Sequence, residues 1–230
     1  MYSYILFDLD NTILDFDLAE IDCFKKLLNH YNVNYSLAYL ETYKSINEEL
    51  WKSIERGEIA KTSALNSRFS RFFTEIGHEV DGAEAEQIYR DNLNKSSLLM
   101  PNAKKTLIQL HQNGVQLYSA SNGVYKTQLS RLKNAQILDL FSGHFISEEI
   151  GSEKPSSIYF QTCINRLNIA ENKLCEVLMV GDNQLSDIIG AKNCNIDTCF
   201  YNPHKKPSTS LPKYEINNLT QLIEIALKSS

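Results

Sequence analysis

Two aspartates near the start of the chain, in the run Tyr4-Ile5-Leu6-Phe7-Asp8-Leu9-Asp10-Asn11-Thr12, carry the clearest chemical signal in the sequence. Side chains two apart on an extended segment point the same way, so Asp8 and Asp10 can converge on one point just beyond the apolar run. Two carboxylates that close repel unless a cation lies between them or one keeps a proton. Three further groups could meet them. Ser121-Asn122-Gly123 sets a hydroxyl beside helix-opening N–H groups, a cradle for an anion. Lys154-Pro155 offers an ammonium as a point charge, with the proline favouring an extended residue before it. Gly181-Asp182, followed by Asp187, adds two more carboxylates. Hard oxygen donors of this kind suit Mg²⁺, which usually coordinates a substrate phosphate as well.

These groups gain meaning from the elements that must carry them. Four apolar residues lead into Asp8, as expected of a strand buried on both faces of a parallel sheet. Similar runs cover Val115 to Ser121, His144 to Ser147, Val177 to Val180 and Ile196 to Tyr201. Helical spacing fills the gaps: Leu107, Leu110 and His111, then Phe160, Cys163, Ile164 and Leu167, then Leu185, Ile188 and Ile189. Strands alternating with helices predict an α/β fold with a doubly wound, parallel, Rossmann-like sheet. All the chemical groups fall at predicted strand ends, where open sheets of this type place their ligands. Any one of them alone reads as a turn or a solvated charge. Their joint placement makes a site.

Residues 15–99 interrupt the alternation, because they contain no strand signal. Asp17-Leu18-Ala19-Glu20 resembles a capping box, opening a helix with the stripe Ile21, Phe24, Leu28 and Tyr31. A second helix carries Tyr43, Ile46, Leu50 and Ile54 and stops at Arg56-Gly57. A third carries Leu65, Phe69, Phe72 and Ile76, and a fourth runs from about Ala83 to Leu93. The expected organisation is an α/β core from residues 1–14 and 100–230, with an all-helical cap at 15–99 acting as a lid and Pro101-Asn102 as its return hinge.

At 230 residues, 43% hydrophobic, the chain can bury a full core with an insertion. A net charge of −5 argues against a nucleic-acid polymer or an anionic membrane surface as partner. The five cysteines are scattered, with no CxxC, and are expected as buried small hydrophobes in a reducing compartment. The first apolar run is too short for a signal peptide or a membrane span, so a cytoplasmic protein, acting as a monomer, is expected.

Asp8-x-Asp10-x-Thr12, Ser121-Asn122-Gly123, Lys154-Pro155 and Gly181-Asp182-x4-Asp187 resemble the four motifs of the haloacid dehalogenase-like (HAD) phosphohydrolases, over nearly the whole chain. Tyr43, Asn47, Leu50-Trp51, Gly57-x-Ile59, Arg68-Phe69 and Ile146-Ser147-Glu148-Glu149-Ile150-Gly151 are similar to its pyrimidine 5′-nucleotidases, which act on nucleoside monophosphates. The resemblance implies Asp8 as the nucleophile that forms an aspartyl-phosphate and Asp10 as general acid and base. It implies Mg²⁺ on the carboxylates of Asp8 and Asp182 and the backbone carbonyl of Asp10, with Asp187 orienting the metal's waters or Lys154. Ser121, Asn122 and Lys154 would hold the phosphoryl oxygens. The implied substrate is a small phosphorylated metabolite, a nucleoside monophosphate.

For substrate choice, Trp51 or a cap Phe would stack on a base while Asn47 or Arg68 meets its polar edge. The alternative makes Trp51 cap core, Asn47 a satisfied buried amide, and Arg56 and Arg68 solvated helix charges. Phosphoglycolate or sugar-phosphate phosphatases and phosphomutases share the motifs. A haloacid dehalogenase needs neither a second acid nor Mg²⁺, and a receiver-type signalling module has no use for a large cap.

Overall fold

The computed structural model describes residues 1–169 and 171–227. In chain order, β1 (Tyr4–Phe7) is followed by four helices: α1 (Phe16–His30), α2 (Leu37–Glu55), α3 (Lys61–Glu75) and α4 (Gly82–Leu93). The α/β alternation then resumes with α5 (Ala103–Gln112), β2 (Gln116–Ser121), α6 (Tyr125–Asn134), β3 (Gly143–Ile146), α7 (Ser147–Ile150), α8 (Ser157–Leu167) and β4 (Val177–Gly181). A π-helical turn at Gln184–Ile189 leads into α9 (Gly190–Lys192), and β5 (Asp197–Tyr201), β6 (Tyr214–Ile216) and α10 (Gln221–Leu227) follow. The chain divides into two compact units, Met1–Phe16 with Ser97–Ser230, and Asp17–Ser96.

In the first unit, six strands of the described residues form one sheet in the order β3-β2-β1-β4-β5-β6. Every neighbouring pair is parallel. The fold is therefore the doubly wound α/β sheet that the alternation predicts. Successive strand residues face opposite sides, and the core follows that rule. Ile5 and Phe7 join Leu117, Leu178, Val180 and Cys199 on the face covered by Leu107, Leu110 and Leu222. Leu6 joins Ala120, Val177 and Met179 on the other, against Tyr159, Phe160, Cys163 and Leu167. Chain order runs outward from β1 to β3 on one side and from β4 to β6 on the other. The reversal between β1 and β4 is a topological switch point, where such sheets open a crevice beyond their carboxyl ends.

Most expected strands appear with small shifts at their ends. The three-residue edge strand β6 was not expected. The expected stripe Leu185, Ile188 and Ile189 is corrected, since Leu185 and Ile189 are exposed and only Ile188 is buried. The π-helical turn changes the angular spacing and brings Asp187 inward instead. Cysteines Cys23, Cys163 and Cys199 are buried, whereas Cys175 is exposed and Cys194 half-buried.

The second unit is built around stacked rings: Phe24 on Tyr43 at 4.7 Å, and Tyr43 on Phe69 at 5.2 Å. Ser36 caps α2 by accepting from Tyr39 N–H, and Asp81 caps α4 by accepting from Ala83 and Glu84 N–H. Helix α1 begins at Phe16, one residue before the expected cap Asp17. Glu20 is buried and bonds to Asn47, its other oxygen lying 3.3 Å from Lys44. At the chain's return, Asn102 holds the left-handed conformation (φ 65) just before α5. Among the described residues no helix is long and apolar enough to cross a membrane.

Candidate active site

The site lies at the switch point of the first unit. The β1 ladder continues one residue past the strand, with Asp8 N–H donating to Val180 C=O at 2.8 Å. That bond fixes the Asp8 backbone beside β4. Lys154, in the loop before α8, sends its ammonium to Asp8 Oδ1 at 2.7 Å, Asp187 Oδ1 at 2.6 Å and the Ala120 carbonyl at 2.7 Å. One nitrogen thus joins β1, the end of β2 and the turn after β4. Its side chain is 2% exposed.

Asp187 is fully buried, and its second oxygen accepts from Asn183 N–H at 3.1 Å. Both of its oxygens are therefore engaged. Asn183 in turn caps the turn through Leu185 and Ser186 N–H. Gly181 is needed for close approach, because a Cβ there would lie 2.1 Å from Asp187 Oδ2. Asp182 follows, with Thr12 Oγ1 donating weakly to its Oδ1 at 3.4 Å.

Asp8, Asp182 and Asp187 each offer one oxygen, and these atoms lie within 4.8 Å of one another. Burial is the main force pushing the Asp8 carboxyl well above its ordinary range; Lys154 opposes it, while Asp187 and Asp182 add to it. Asp182 is raised to about 7, again first by burial and then by Asp187. Burial alone would strip Lys154 of its charge, yet Asp187 and Asp8 outweigh it and hold the ammonium above its usual range. Three acids facing one ammonium leave surplus negative charge in a desolvated pocket. An all-oxygen donor set with that surplus fits a hard divalent cation such as Mg²⁺.

The chain turns directly after Asp10. Asn11 is left-handed (φ 60), and Ile13 and Leu14 N–H fold back to Leu9 C=O. The Asp10 carboxylate lies outside the acidic trio and is taken by Arg131 Nη1 at one oxygen and by Gln128 Nε2 at the other, the latter at 2.5 Å. The Asn122 side-chain amide donates to Lys154 C=O at 2.9 Å and accepts from Lys154 N–H at 2.8 Å, clasping the lysine's backbone.

Ser121 is buried at the end of β2. Its Oγ accepts from Gly123 N–H and from Gln128 Nε2, both at 3.0 Å, and the hydroxyl keeps its own proton to donate. Gln128 and Arg131 escaped sequence reasoning. A signal existed: they share a helical face with Leu132 and Ala135, an apolar stripe that ordinarily excludes polar residues.

In the helical unit, Arg68 is corrected from a solvated charge to a buried one. Its side chain is 2% exposed, ion-paired to Glu86 at 2.6 Å and bonded to Asn47 Oδ1 at 2.9 Å. Its guanidinium lies 4.6 Å from the Tyr89 ring centre and 4.8 Å from that of Phe69. Asn47 bonds onward to Glu20. Trp51 is half-buried against Leu50, Ile54 and Ala64. Asn47 and Arg68 thus satisfy one another inside the unit. Arg56 is exposed and paired with Glu58.

Comparison with known proteins shows the family. The family described as "Haloacid dehalogenase-like hydrolase" matches residues 5–201. YfnB of Bacillus subtilis (strain 168), named as a HAD-hydrolase, is 36% identical over 97% of this chain and 95% of its own length. The pyrimidine 5′-nucleotidase PynA of Streptococcus pneumoniae (strain ATCC BAA-255 / R6) is 35% identical over 97% of this chain and 94% of its own. The crystal structure of YfnB bound to magnesium superposes with a TM-score of 0.92, covering 98% of each chain.

Proposed function

Since this chain belongs to the haloacid dehalogenase-like hydrolases, we propose that it is a Mg²⁺-dependent phosphomonoesterase acting through Asp8, with nucleoside 5′-monophosphates, pyrimidine ones foremost, as substrates. The observation that carries the reading is the single ammonium of Lys154 held between Asp8 and Asp187 at the switch point. A carboxylate can attack a phosphate dianion only where cations offset the repulsion, and this arrangement provides one beside the attacking oxygen. The pyrimidine preference rests on likeness to PynA.

Asp8 attacks phosphorus; a bond forms from its oxygen to phosphorus as the ester P–O bond breaks. Asp10 gives its proton to the departing alkoxide, releasing the alcohol. It then takes a proton from water as that water attacks phosphorus, which breaks the aspartyl-phosphate and yields inorganic phosphate with Asp8 restored. Ser121 Oγ and the Lys154 ammonium hold the phosphoryl oxygens. Asp8, Asp182 and the Asp10 carbonyl would hold Mg²⁺, which when bound would offset charge at the phosphoryl group. Asp187, both of whose oxygens are already engaged, orients Lys154. The inserted helical segment is proposed as the source of substrate choice.

A phosphatase screen with Mg²⁺ across pyrimidine and purine monophosphates, phosphoglycolate and sugar phosphates tests this. The expected leader is UMP or a close relative. Equal rates on UMP and glucose 6-phosphate would remove the nucleotide preference, and no phosphate release from any of them would end the reading.

A further inference from the structure

Asp10 lies past the end of β1, joined to Leu14 by an isolated bridge. Two residues of α6, one helical turn apart, hold its carboxylate. Arg131 Nη1 donates to Oδ1 of Asp10 and Gln128 Nε2 to Oδ2, so each oxygen meets a separate donor. Gln128 Nε2 also reaches Ser121 Oγ, and Arg131 Nη1 lies 3.4 Å from Gln128 Oε1. The loop is shaped around the amide: a Cβ on Gly123 would lie 2.2 Å from Gln128 Nε2.

Arg131 is expensive where it stands. It is 1% exposed, and its Nε and Nη2 find no hydrogen-bond partner among the described residues. The ring of Phe16 lies 5.7 Å from its guanidinium carbon. A core-filling role would be met at lower cost by Leu or Met, because buried donors without acceptors are penalised. The ion partner that this burial serves is Asp10.

We propose that Gln128 and Arg131 are positioning residues, a two-point cradle that aims the Asp10 carboxylate at the ester's leaving oxygen and ties that aim to Ser121. The proposal rests on the phosphomonoesterase reading above. It predicts a dependence on the leaving group. A nucleoside alkoxide needs a proton from Asp10 as it departs, whereas nitrophenolate leaves unaided. Misaim should therefore slow one far more than the other.

The test uses the whole protein with Mg²⁺ and follows first-turnover release of uridine from UMP and of nitrophenol from p-nitrophenyl phosphate, with enzyme in excess. This isolates the first step from hydrolysis of the aspartyl-phosphate, which needs Asp10 whatever the substrate. Arg131→Met and Gln128→Met are expected to slow uridine release by about 10²-fold, the scale of a misplaced catalytic group, and nitrophenol release by less than about 3-fold, well below that scale. Arg131→Lys should recover part of the loss. Melting curves confirm that the variants fold, and Gln128→Met, which removes no buried charge, serves if Arg131→Met does not. Equal losses on both substrates, or no loss on UMP, would overturn the cradle while leaving the phosphatase reading intact. A wild-type protein that releases neither product overturns the phosphatase reading and the cradle together.

Discussion

Lys154 and Asp187 meet at 2.6 Å, and neither side chain is more than 2% exposed. The pair links the loop before α8 to the turn after β4, so the two loops share one buried contact. Breaking a buried pair from one side leaves the other charge stranded.

Asp187→Asn should accordingly lower unfolding free energy by about 3 kcal/mol. Lys154 keeps Asp8, which limits the damage. Urea denaturation measures it; a loss below about 0.5 kcal/mol, the level of an ordinary surface change, would show that the pair matters little to the fold.

Asp8→Asn should abolish turnover and leave a folded protein, since the amide keeps the shape and loses the nucleophile. Hydrolysis near the wild-type rate in that variant would rule out Asp8 as the attacking group.

Chelation with EDTA should remove activity and added Mg²⁺ restore it. Full activity in chelator would take the metal out of the reaction.

Without a cation, stability should fall as pH rises. The native state keeps a proton on Asp182 up to about pH 7, whereas the unfolded chain releases it near the ordinary value of 3.8. Between those values the native state binds more protons than the unfolded one, so each step up in pH weakens it, and above about 7 that loss is complete. Protons and Mg²⁺ compete for the same carboxylates, so the melting-temperature gain from Mg²⁺ should be larger at pH 8 than at pH 6. A gain that is flat or reversed with pH would show that Asp182 does not hold the ion.

Arg68→Met should destabilise the helical unit by about 3 kcal/mol, because Glu86 would lose a buried counter-charge. Arg90 remains on Glu86 and softens the loss. The ratio of rates on UMP and CMP should stay within about 3-fold, under 1 kcal/mol by the usual conversion. A large change in that ratio with unchanged stability would return Arg68 to the substrate.

The sheet was legible because its strands are apolar runs with abrupt polar ends. In Tyr4–Phe7 and Val177–Gly181, sequence period and burial tell the same story. Edge strand β6 was not legible, since Tyr-Glu-Ile is too short to show alternation. The site residues could be found wherever a strand end announced them, as for Asp8, Ser121 and Asp182. The partners of Asp10 were not legible because they lie 118 and 121 residues further along the chain, on a separate helix. Arg131 and Gln128 were lost because polar side chains on a helix ordinarily mark its wet side. Arg68 misled for the same reason: its acceptors, Asn47 and Glu86, lie 21 and 18 residues away on other helices.

Glu20 of α1, Asn47 of α2, Arg68 of α3 and Glu86 of α4 run in one polar chain through the second unit, flanked by stacked rings. A segment whose four helices are knotted together from within owes its cohesion to its own interior. Its outward positions then carry little of the burden of folding and are free to drift.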